Sequence, residues 1–227
     1  MTISFLQGLD LLGIIVSGVV AAVIFSPLAI WIARRKGLLD IPGTAIHKEH
    51  ARPTPLTGGI ALALSVLVLL TVFRLWEKPF SLLLAATAIV FVFGLWDDAR
   101  GLSAPQKILG QILASVVLIA PGISVEFLSG LSIPFLSPSL LTILNWVVTI
   151  FWLVGISNSI NLIDSMDGQA LGASSIAFAF FIGLTLVARQ NDLARFGVIF
   201  LGICIGLFFF STFHLRGFFL EILAHRT

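Results

Sequence analysis

The sequence predicts an all-α fold, a polytopic bundle of helices that crosses a membrane. Hydrophobic residues make up 58% of the 227 residues and charged residues only 11%, and the mean hydropathy is +1.10. A soluble domain of this length does not need so apolar a composition for its core. The apolar residues are also gathered in runs of about 20, the length that spans a bilayer as a helix.

About seven apolar runs are expected to be transmembrane helices, near residues 11–33, 57–75, 80–96, 108–121, 140–157, 170–188 and 196–212. The first run is too long and too weakly flanked for a cleaved signal peptide, so we interpret it as a helix. Residues 122–139 carry alternating apolar side chains around Gly130, which predicts a short hairpin at the outer face. We find no internal repeat or linker, and expect a single domain over residues 1–227.

Basic residues indicate the orientation of the bundle, because cytoplasmic loops collect them. The first loop contains five: Arg34, Arg35, Lys36, Lys48 and Arg52. Placing this loop inside puts the N-terminus outside and leaves nine of the thirteen basic residues inside. The net charge of +2 follows this topology, and no basic surface interleaved with aromatic residues predicts nucleic-acid binding. Cys204 stands alone, so we expect no disulfide framework.

Four acidic residues lie at the inner ends of predicted spans: Asp97, Asp98, Asp164 and Asp167. They are four of only eleven acidic residues in the chain. Carboxylates at a membrane boundary are costly and are usually paired or metal-bound. We therefore interpret these four as a functional cluster rather than as solvated loop charges.

Asp97 and Asp98 end the third span, within "GLWDDARGL". Two carboxylates there repel each other and the negative end of the helix dipole, so a cation must offset them. The sequence leaves open whether Arg100, Lys107, a metal ion or several of these do so. Because adjacent helical residues point about 100° apart, we expect the two acids to have different partners.

The segment "NSINLIDSMDG" spaces four polar residues at three-residue steps: Asn158, Asn161, Asp164 and Asp167. On an ideal helix, neighbours in this series can cooperate while the first and last face opposite sides. Either the segment tightens into a 3₁₀ turn, or the helix breaks near Gly168 and the acids serve different partners. Carboxylates suit Mg²⁺, which takes one or two of them together with substrate phosphates. Such a cleft predicts phosphoryl transfer on a substrate that carries phosphate.

Three motifs in this order, "RPTPLTGG", "GLWDDARGL" and "NSINLIDSMDG", resemble those of the polyprenyl-phosphate N-acetylhexosamine-1-phosphate transferases. This glycosyltransferase family 4-like group is related to the phospho-MurNAc-pentapeptide translocase, and the resemblance covers about residues 8 to 210. It implies Mg²⁺-dependent transfer of a sugar 1-phosphate from a UDP-sugar to polyprenyl phosphate, with release of UMP. It also implies a multi-pass protein of the bacterial inner membrane with its active site facing the cytoplasm, a role in cell-wall or lipopolysaccharide synthesis, and a homodimer. Ile163, where the translocases usually carry Thr, favours the UDP-N-acetylhexosamine branch.

The resemblance assigns Asp97 and Asp98 to the catalytic centre, where one of them orients or activates the lipid phosphate. It makes Asp164 the leading Mg²⁺ ligand. The substrate contacts that it implies are Asn158, Asn161, Asp167, Lys48 and His50. Ser165 and Gln169 replace a Gly and a Leu that the family usually carries, which alters the expected substrate fit without removing a charge.

The family continues through further spans and a His-rich cytoplasmic loop, whereas this sequence ends at Thr227. Synonymous codons for the last residues can be chosen so that another frame encodes "FLFNFPPARVFLGDTGSS", which resembles the family's next motif. We therefore expect a transferase domain that is incomplete at its C-terminus, with residues 208–227 out of frame. Two alternatives stay open: a catalytically inert membrane fragment of such a transferase, and an ion-coupled transporter, whose acids would lie near the membrane midplane.

Overall fold

A computed structural model of the chain describes residues 5–36, 39–40, 54–55, 58–128, 137–164 and 168–212. Within these ranges the helices are α1 (Phe5–Lys36), α2 (Gly58–Val72), α3 (Phe80–Arg100), α4 (Ala104–Ile119), α5 (Pro138–Ile163), α6 (Gln169–Val187) and α7 (Asn191–Thr212). An antiparallel ribbon pairs β1 (Leu39–Asp40) with β2 (Thr54–Pro55). The predicted all-α class is confirmed. The ribbon was not predicted, because strands of two residues are too short to show a periodic pattern.

Five of the described helices are long and apolar enough to cross a membrane, namely α1, α3, α5, α6 and α7. The other two, α2 and α4, are apolar but contain only 15 and 16 residues. At 1.5 Å per residue, 16 residues extend about 24 Å, which is less than the hydrocarbon core of about 30 Å. The polytopic membrane bundle is confirmed, and these two helices are shorter than typical full spans.

Large apolar side chains cover the outer surface of the helices. On α6, Phe180, Leu184 and Val187 are 73%, 70% and 78% exposed, and Phe151 of α5 is 78% exposed. Water would make such exposure unfavourable, whereas lipid tails are as apolar as these side chains and solvate them. This surface is that of a bundle embedded in a bilayer.

The described helices fall into two compact units, and the first contains α1, α2, α6 and α7. Its most extensive helix contact is between α1 and α7, where a Cβ on Gly202 would overlap the carbonyl oxygen of Ile15. Glycine at this position lets the two backbones approach closely, as small residues do between membrane helices. Ile199 and Ile203 of α7 are completely buried beside this contact.

An ion pair also joins α1 to α7. Arg195 donates to Oδ2 of Asp10 through Nε at 3.1 Å and through a terminal guanidinium nitrogen at 2.7 Å. Both side chains are 43% exposed. An ion pair this open to solvent contributes at most about 1 kcal/mol.

The second unit covers Trp76–Leu162 and contains α3, α4 and nearly all of α5. Ala86 of α3 and Ala114 and Leu118 of α4 form its buried apolar cluster, against which Leu153 of α5 packs. Alanine at two of these positions leaves little bulk between α3 and α4. The two helices therefore lie side by side up to the turn that joins them.

Polar side chains of α5 hold the segment that follows α4. Thr149 Oγ1 accepts from the N–H of Val125 at 2.9 Å, and Asn145 Oδ1 accepts from the N–H of Leu128 at 3.1 Å. Both acceptor side chains are buried, and these two bonds satisfy their hydrogen-bonding capacity inside the unit. In the predicted hairpin over residues 122–139, residues 122–128 contain no strand, residues 138 and 139 begin α5, and residues 129–136 lie outside the described residues.

Candidate functional site

The end of α3 fixes the carboxylate of Asp97. Gly101 has φ +71°, a conformation that glycine adopts without a Cβ clash, and its N–H donates to the carbonyl oxygen of Asp97 at 2.8 Å. The next N–H, that of Leu102, donates to Oδ1 of Asp97, also at 2.8 Å. The carboxylate thus accepts a bond from the turn that follows its own helix.

The start of α4 is set by residues that satisfy its first backbone donors. The N–H and the hydroxyl of Ser103 both donate to Oε1 of Gln106 at 2.9 Å. Pro105 lies in the first turn, where a missing N–H costs no helical hydrogen bond. Because only three residues separate the end of α3 from the start of α4, Lys107 in this first turn lies beside the last turn of α3.

Lys107 forms an ion pair with Asp97, with 2.7 Å between Nζ and Oδ2. The two side chains are 43% and 31% exposed, so the pair is open to solvent on one side. Its cation offsets the negative charge at the C-terminal end of α3. Among the cations that the sequence left open, the structure places Lys107 against the first acid.

Asp98 has different surroundings from Asp97. It is exposed in the last turn of α3, and it is not among the residues that line the cavity between α3, α4 and α5. The two adjacent carboxylates therefore point to different environments, as the helical geometry predicts.

Gln111 links α4 to α5 through side-chain hydrogen bonds. Its Nε2 donates to Ser157 Oγ at 3.2 Å and to Asn158 Oδ1 at 3.4 Å, and its Oε1 accepts from Asn158 Nδ2 at 3.0 Å. Asn158 Nδ2 donates also to the carbonyl oxygen of Val154, one turn earlier on α5, at 2.8 Å. Three polar side chains from two helices thus form one connected network.

A polar cavity of about 170 Å³ lies where these groups meet. Its polar lining comes from α3, α4 and α5: Asp97, Lys107, Gln111, Ser157, Asn158 and Asn161. Its other lining residues are Val90, Phe93 and Gly94 of α3. On each helix the lining residues fall on one face, because their spacings match the helical period of 3.6 residues. The cavity combines a carboxylate, an ammonium group, amides and a hydroxyl.

The segment after α5 contains a helix break. α5 ends at Ile163, and α6 begins at Gln169 after Gly168, which has φ +80° and whose carbonyl oxygen accepts from the N–H of Gly172 at 2.8 Å. α5 and α6 are therefore separate helices, and residues 165–167 between them lie outside the described residues, so the 3₁₀ turn that the sequence also allows stays a prediction. Asp164 lies exposed in the turn after α5 and belongs to the first unit.

The remaining predicted site residues, Asp167, Lys48 and His50, lie outside the described residues. The structure therefore brings together Asp97, Asn158 and Asn161 of the predicted set, all within the second unit. Their predicted roles in catalysis and substrate binding stay predictions.

Gln111 and Ser157 line the cavity, and the sequence interpretation did not select them. A signal for Gln111 was present in α4, which is otherwise strongly apolar. Lys107, Gln111 and Ser115 are spaced four residues apart and form a polar stripe along that helix. A polar stripe on a membrane helix indicates a face turned toward the bundle interior.

The donor chemistry of the cavity is compatible with Mg²⁺. Carboxylate, amide and hydroxyl oxygens are the hard ligands that this ion prefers. Oδ1 and Oδ2 of Asp97 each accept one described bond, and a carboxylate has about four acceptor positions, so it has capacity for a further partner. Among the described residues, no three His, Cys, Asp or Glu side chains form a cluster, so a bound ion would take part of its shell from substrate phosphates or water.

A second cavity, of about 320 Å³, shares part of its lining with the first. Its walls are mostly apolar and include Leu83, Ala86, Leu118, Leu153 and Ile156. Val90, Gln111 and Ser157 line both cavities. The second unit therefore places a polar compartment next to an apolar one.

The fold and the site define the class of this protein as an integral membrane protein with a charged cavity among its helices. Residues 80–219 match the model of "Glycosyl transferase family 4". The match covers more than half of the chain and includes α3, α4 and α5, which build the cavity. The chain belongs to the glycosyl transferase family 4.

Curated relatives carry two kinds of transferase name. A phospho-N-acetylmuramoyl-pentapeptide-transferase of Latilactobacillus sakei is 33% identical over 87% of this chain and 66% of its own length. The protein of the same name from Lactobacillus gasseri is 30% identical over 86% of this chain and 66% of its own length. A probable undecaprenyl-phosphate N-acetylglucosaminyl 1-phosphate transferase of Bacillus subtilis is 29% identical over 84% of this chain and 52% of its own length.

The chain spans between about half and two thirds of the length of the curated relatives that it matches. These relatives are bacterial transferases, and the described helices of this chain are apolar enough for a multi-pass membrane protein. The family predicted from the three motifs is confirmed.

Proposed function

We propose that this protein transfers a sugar 1-phosphate from a UDP-sugar to polyprenyl phosphate, releasing UMP, at the cytoplasmic face of the bacterial inner membrane. The sugar that we propose is an N-acetylhexosamine. In this reaction an oxygen of the lipid phosphate attacks the phosphorus that bears the sugar. A bond forms to that phosphorus, and its bond to the oxygen that leaves with UMP breaks.

The observation that carries this proposal is the Asp97–Lys107 ion pair in the polar cavity. An ammonium group has three N–H donors, and one of them is directed at Asp97 Oδ2. The remaining two are available for phosphate oxygens, because the side chain is 43% exposed. Asp97 would act by holding the ammonium group of Lys107 in the cavity, where Lys107 orients the phosphate of the acceptor.

Charge is the main requirement of phosphoryl transfer, since little covalent chemistry is left for the protein to do. Lys107 offers positive charge where the phosphates would approach, and Asn161 offers an exposed amide on the same cavity wall. Asp164 is the residue that we propose as the leading Mg²⁺ ligand, and we propose Asp98 as a catalytic residue and Asp167 as a substrate contact. When bound, Mg²⁺ would neutralise the phosphates of the nucleotide sugar and of the acceptor.

The apolar cavity fits the other half of the acceptor. A polyprenyl phosphate has a charged head and a hydrocarbon chain, and it needs a polar site that continues into an apolar one. The polar cavity with Lys107 and the apolar cavity with Leu118 and Leu153 share Gln111 and Ser157 at their junction. We therefore propose that the phosphate lies beside Lys107 and that the first prenyl units lie in the apolar cavity.

The positions of the acids favour a transferase over an ion-coupled transporter. A transporter places its ion ligands near the middle of the membrane on interrupted helices. Here Asp97 and Asp98 lie in the last turn of α3, and Asp164 follows the last residue of α5. Acids at helix ends are suited to a substrate that arrives from the aqueous phase.

The test is UMP release by the 227-residue chain purified into lipid nanodiscs that contain undecaprenyl phosphate. We expect UMP from UDP-N-acetylglucosamine in the presence of Mg²⁺, and none when the ion is chelated or the lipid phosphate is omitted. The Lys107→Met variant should lose this activity. Lys78→Met is the matched control, because Lys78 is exposed before α3 and does not line the cavity.

Two results would contradict the proposal. One is a folded chain that releases no UMP from UDP-N-acetylglucosamine or from UDP-MurNAc-pentapeptide, which is what the inert-fragment alternative predicts. The other is UMP release that does not depend on the lipid phosphate, because this would show hydrolysis rather than transfer. Release from the pentapeptide substrate alone would retain the transferase and overturn the proposed sugar.

A further inference from the structure

The amide groups of Gln111 and Asn158 use nearly all of their hydrogen-bonding capacity on each other and on neighbouring protein atoms. Both N–H donors of Asn158 are engaged, one by Gln111 Oε1 at 3.0 Å and one by the carbonyl oxygen of Val154 at 2.8 Å. Both N–H donors of Gln111 are engaged as well, by Ser157 Oγ and by Asn158 Oδ1. A primary amide has two donors, so neither side chain has a donor left.

These hydrogen bonds indicate which role Asn158 can have. Phosphate oxygens and uracil carbonyl oxygens are acceptors, and they require a donor from the protein. Asn158 could donate to them only by breaking one of its bonds in the partly buried network. Removing a partner from a buried polar group is costly, so the arrangement favours a structural contact over a substrate contact.

The same two residues are one helical turn from groups that face the cavity. Gln111 is four residues after Lys107 on α4, and Asn158 is three residues before Asn161 on α5. A contact between Gln111 and Asn158 therefore fixes the rotation and the register of α4 against α5 next to the cavity. Lys107 lies one turn earlier on the same face of α4, so a rotation of α4 against α5 would also move Lys107 relative to Asp97 of α3.

We propose that Gln111 and Asn158 form an interhelical amide pair that positions Lys107 in the cavity, and that Asn158 is a positioning residue. The assignment of Lys107 as the phosphate contact rests on the proposed function. The amide pair itself rests only on the hydrogen bonds within the second unit. The proposal predicts that loss of either amide has the same effect, because each loss breaks the same contact.

The first measurement is the rate at which an amine-reactive acylating reagent modifies Lys107 in the purified chain, followed by mass spectrometry. The variants are Gln111→Met and Asn158→Leu, which keep the side-chain size and remove the amides, and the double variant. Ser159→Ala is the matched control. Among the described residues, the hydroxyl of Ser159 donates to the carbonyl oxygen of Gly155 in its own helix at 2.8 Å and makes no bond to α4. Lys78 in each sample is the internal reference.

We expect each single variant to increase the acylation rate of Lys107 about fivefold relative to Lys78, as release of an exposed ion pair would do. The double variant should react no faster than the single variants, since the pair is already broken in each. Ser159→Ala should react like the wild type. If Gln111→Met does not fold, Gln111→Asn replaces it, because the shorter amide keeps the polarity but does not reach Asn158.

The second measurement is the dependence of UMP release on UDP-sugar concentration. A positioning role predicts that both single variants lower kcat while KM for the UDP-sugar stays within about twofold. Unchanged Lys107 acylation in both variants would overturn the proposal. A raised KM in Asn158→Leu alone would also overturn it and would make Asn158 a substrate contact. If the wild-type chain releases no UMP, the proposed function fails, and the acylation rates still decide whether the amide pair positions Lys107.

Discussion

Replacing Gly110 by alanine tests how closely α3 and α4 must pack to form the cavity. A Cβ built on Gly110 lies 2.5, 2.7 and 2.9 Å from three carbons of the Phe93 ring. Carbon atoms in contact prefer separations of about 3.5–4.0 Å, so the ring or the helix must move by about 1 Å. Phe93 also contacts Trp96, with 6.0 Å between ring centroids, which limits where the ring can go.

Overpacking of this kind costs about 1–3 kcal/mol, and the preference of alanine over glycine in a helix returns about 0.5–1 kcal/mol. We therefore expect Gly110→Ala to lower the free energy of unfolding by about 1–2 kcal/mol. Phe93 lines the polar cavity one turn before Asp97, so the displaced ring should also reduce UMP release. The assay is denaturant unfolding in detergent micelles, together with the nanodisc activity measurement.

Two comparisons make this prediction specific. Gly155→Ala is the matched control, because no atom of the described residues lies within 4 Å of a Cβ at that position of α5, and it should be neutral or slightly stabilising. Phe93→Leu should relieve the overlap, so the double variant Phe93→Leu/Gly110→Ala should be more stable than the sum of the single effects predicts. Additive effects within about 0.5 kcal/mol, or a neutral Gly110→Ala, would refute the packing argument.

Three further predictions concern charged residues. Lys107→Met should lower kcat/KM for UMP release by about 100-fold or more, the usual loss when one donor to a developing charge is removed. The free energy of unfolding should change by at most about 1 kcal/mol, because the ion pair is exposed. A loss of both activity and stability would indicate a structural role for Lys107. Asp164→Asn should abolish Mg²⁺-dependent release, measured by titration with the ion, and full activity in this variant would refute the metal assignment. Asp10→Asn should lower stability by at most about 1 kcal/mol at low salt and by less at 1 M salt, where a Debye length of about 3 Å screens the pair with Arg195. This variant should leave UMP release unchanged, and reduced release would show that the pair affects the cavity.

The sequence by itself determined which segments form helices and that acidic residues lie at the ends of α3 and α5. Apolar runs identify membrane helices reliably because a bilayer requires both a minimum length and satisfied backbone groups. The first and last members of the polar series before Gly168 fall on opposite helical faces, so the sequence left two alternatives, a 3₁₀ turn or a helix break near Gly168, and α5 and α6 are separate helices. The three motifs also predicted the family, since each depends on residue identity rather than on packing.

Only the tertiary structure decided which partner each polar residue has. The helical period shows that Lys107 and Gln111 share a face of α4, but it does not show which neighbouring helix that face meets. The rotation and register of one helix against the next depend on packing, which between α3 and α4 includes the contact of the Phe93 ring with Gly110. The packing of α3 against α4 brings Lys107 beside Asp97, and the contact between α4 and α5 pairs Gln111 with Asn158. No local pattern in the sequence relates the residues that these contacts join.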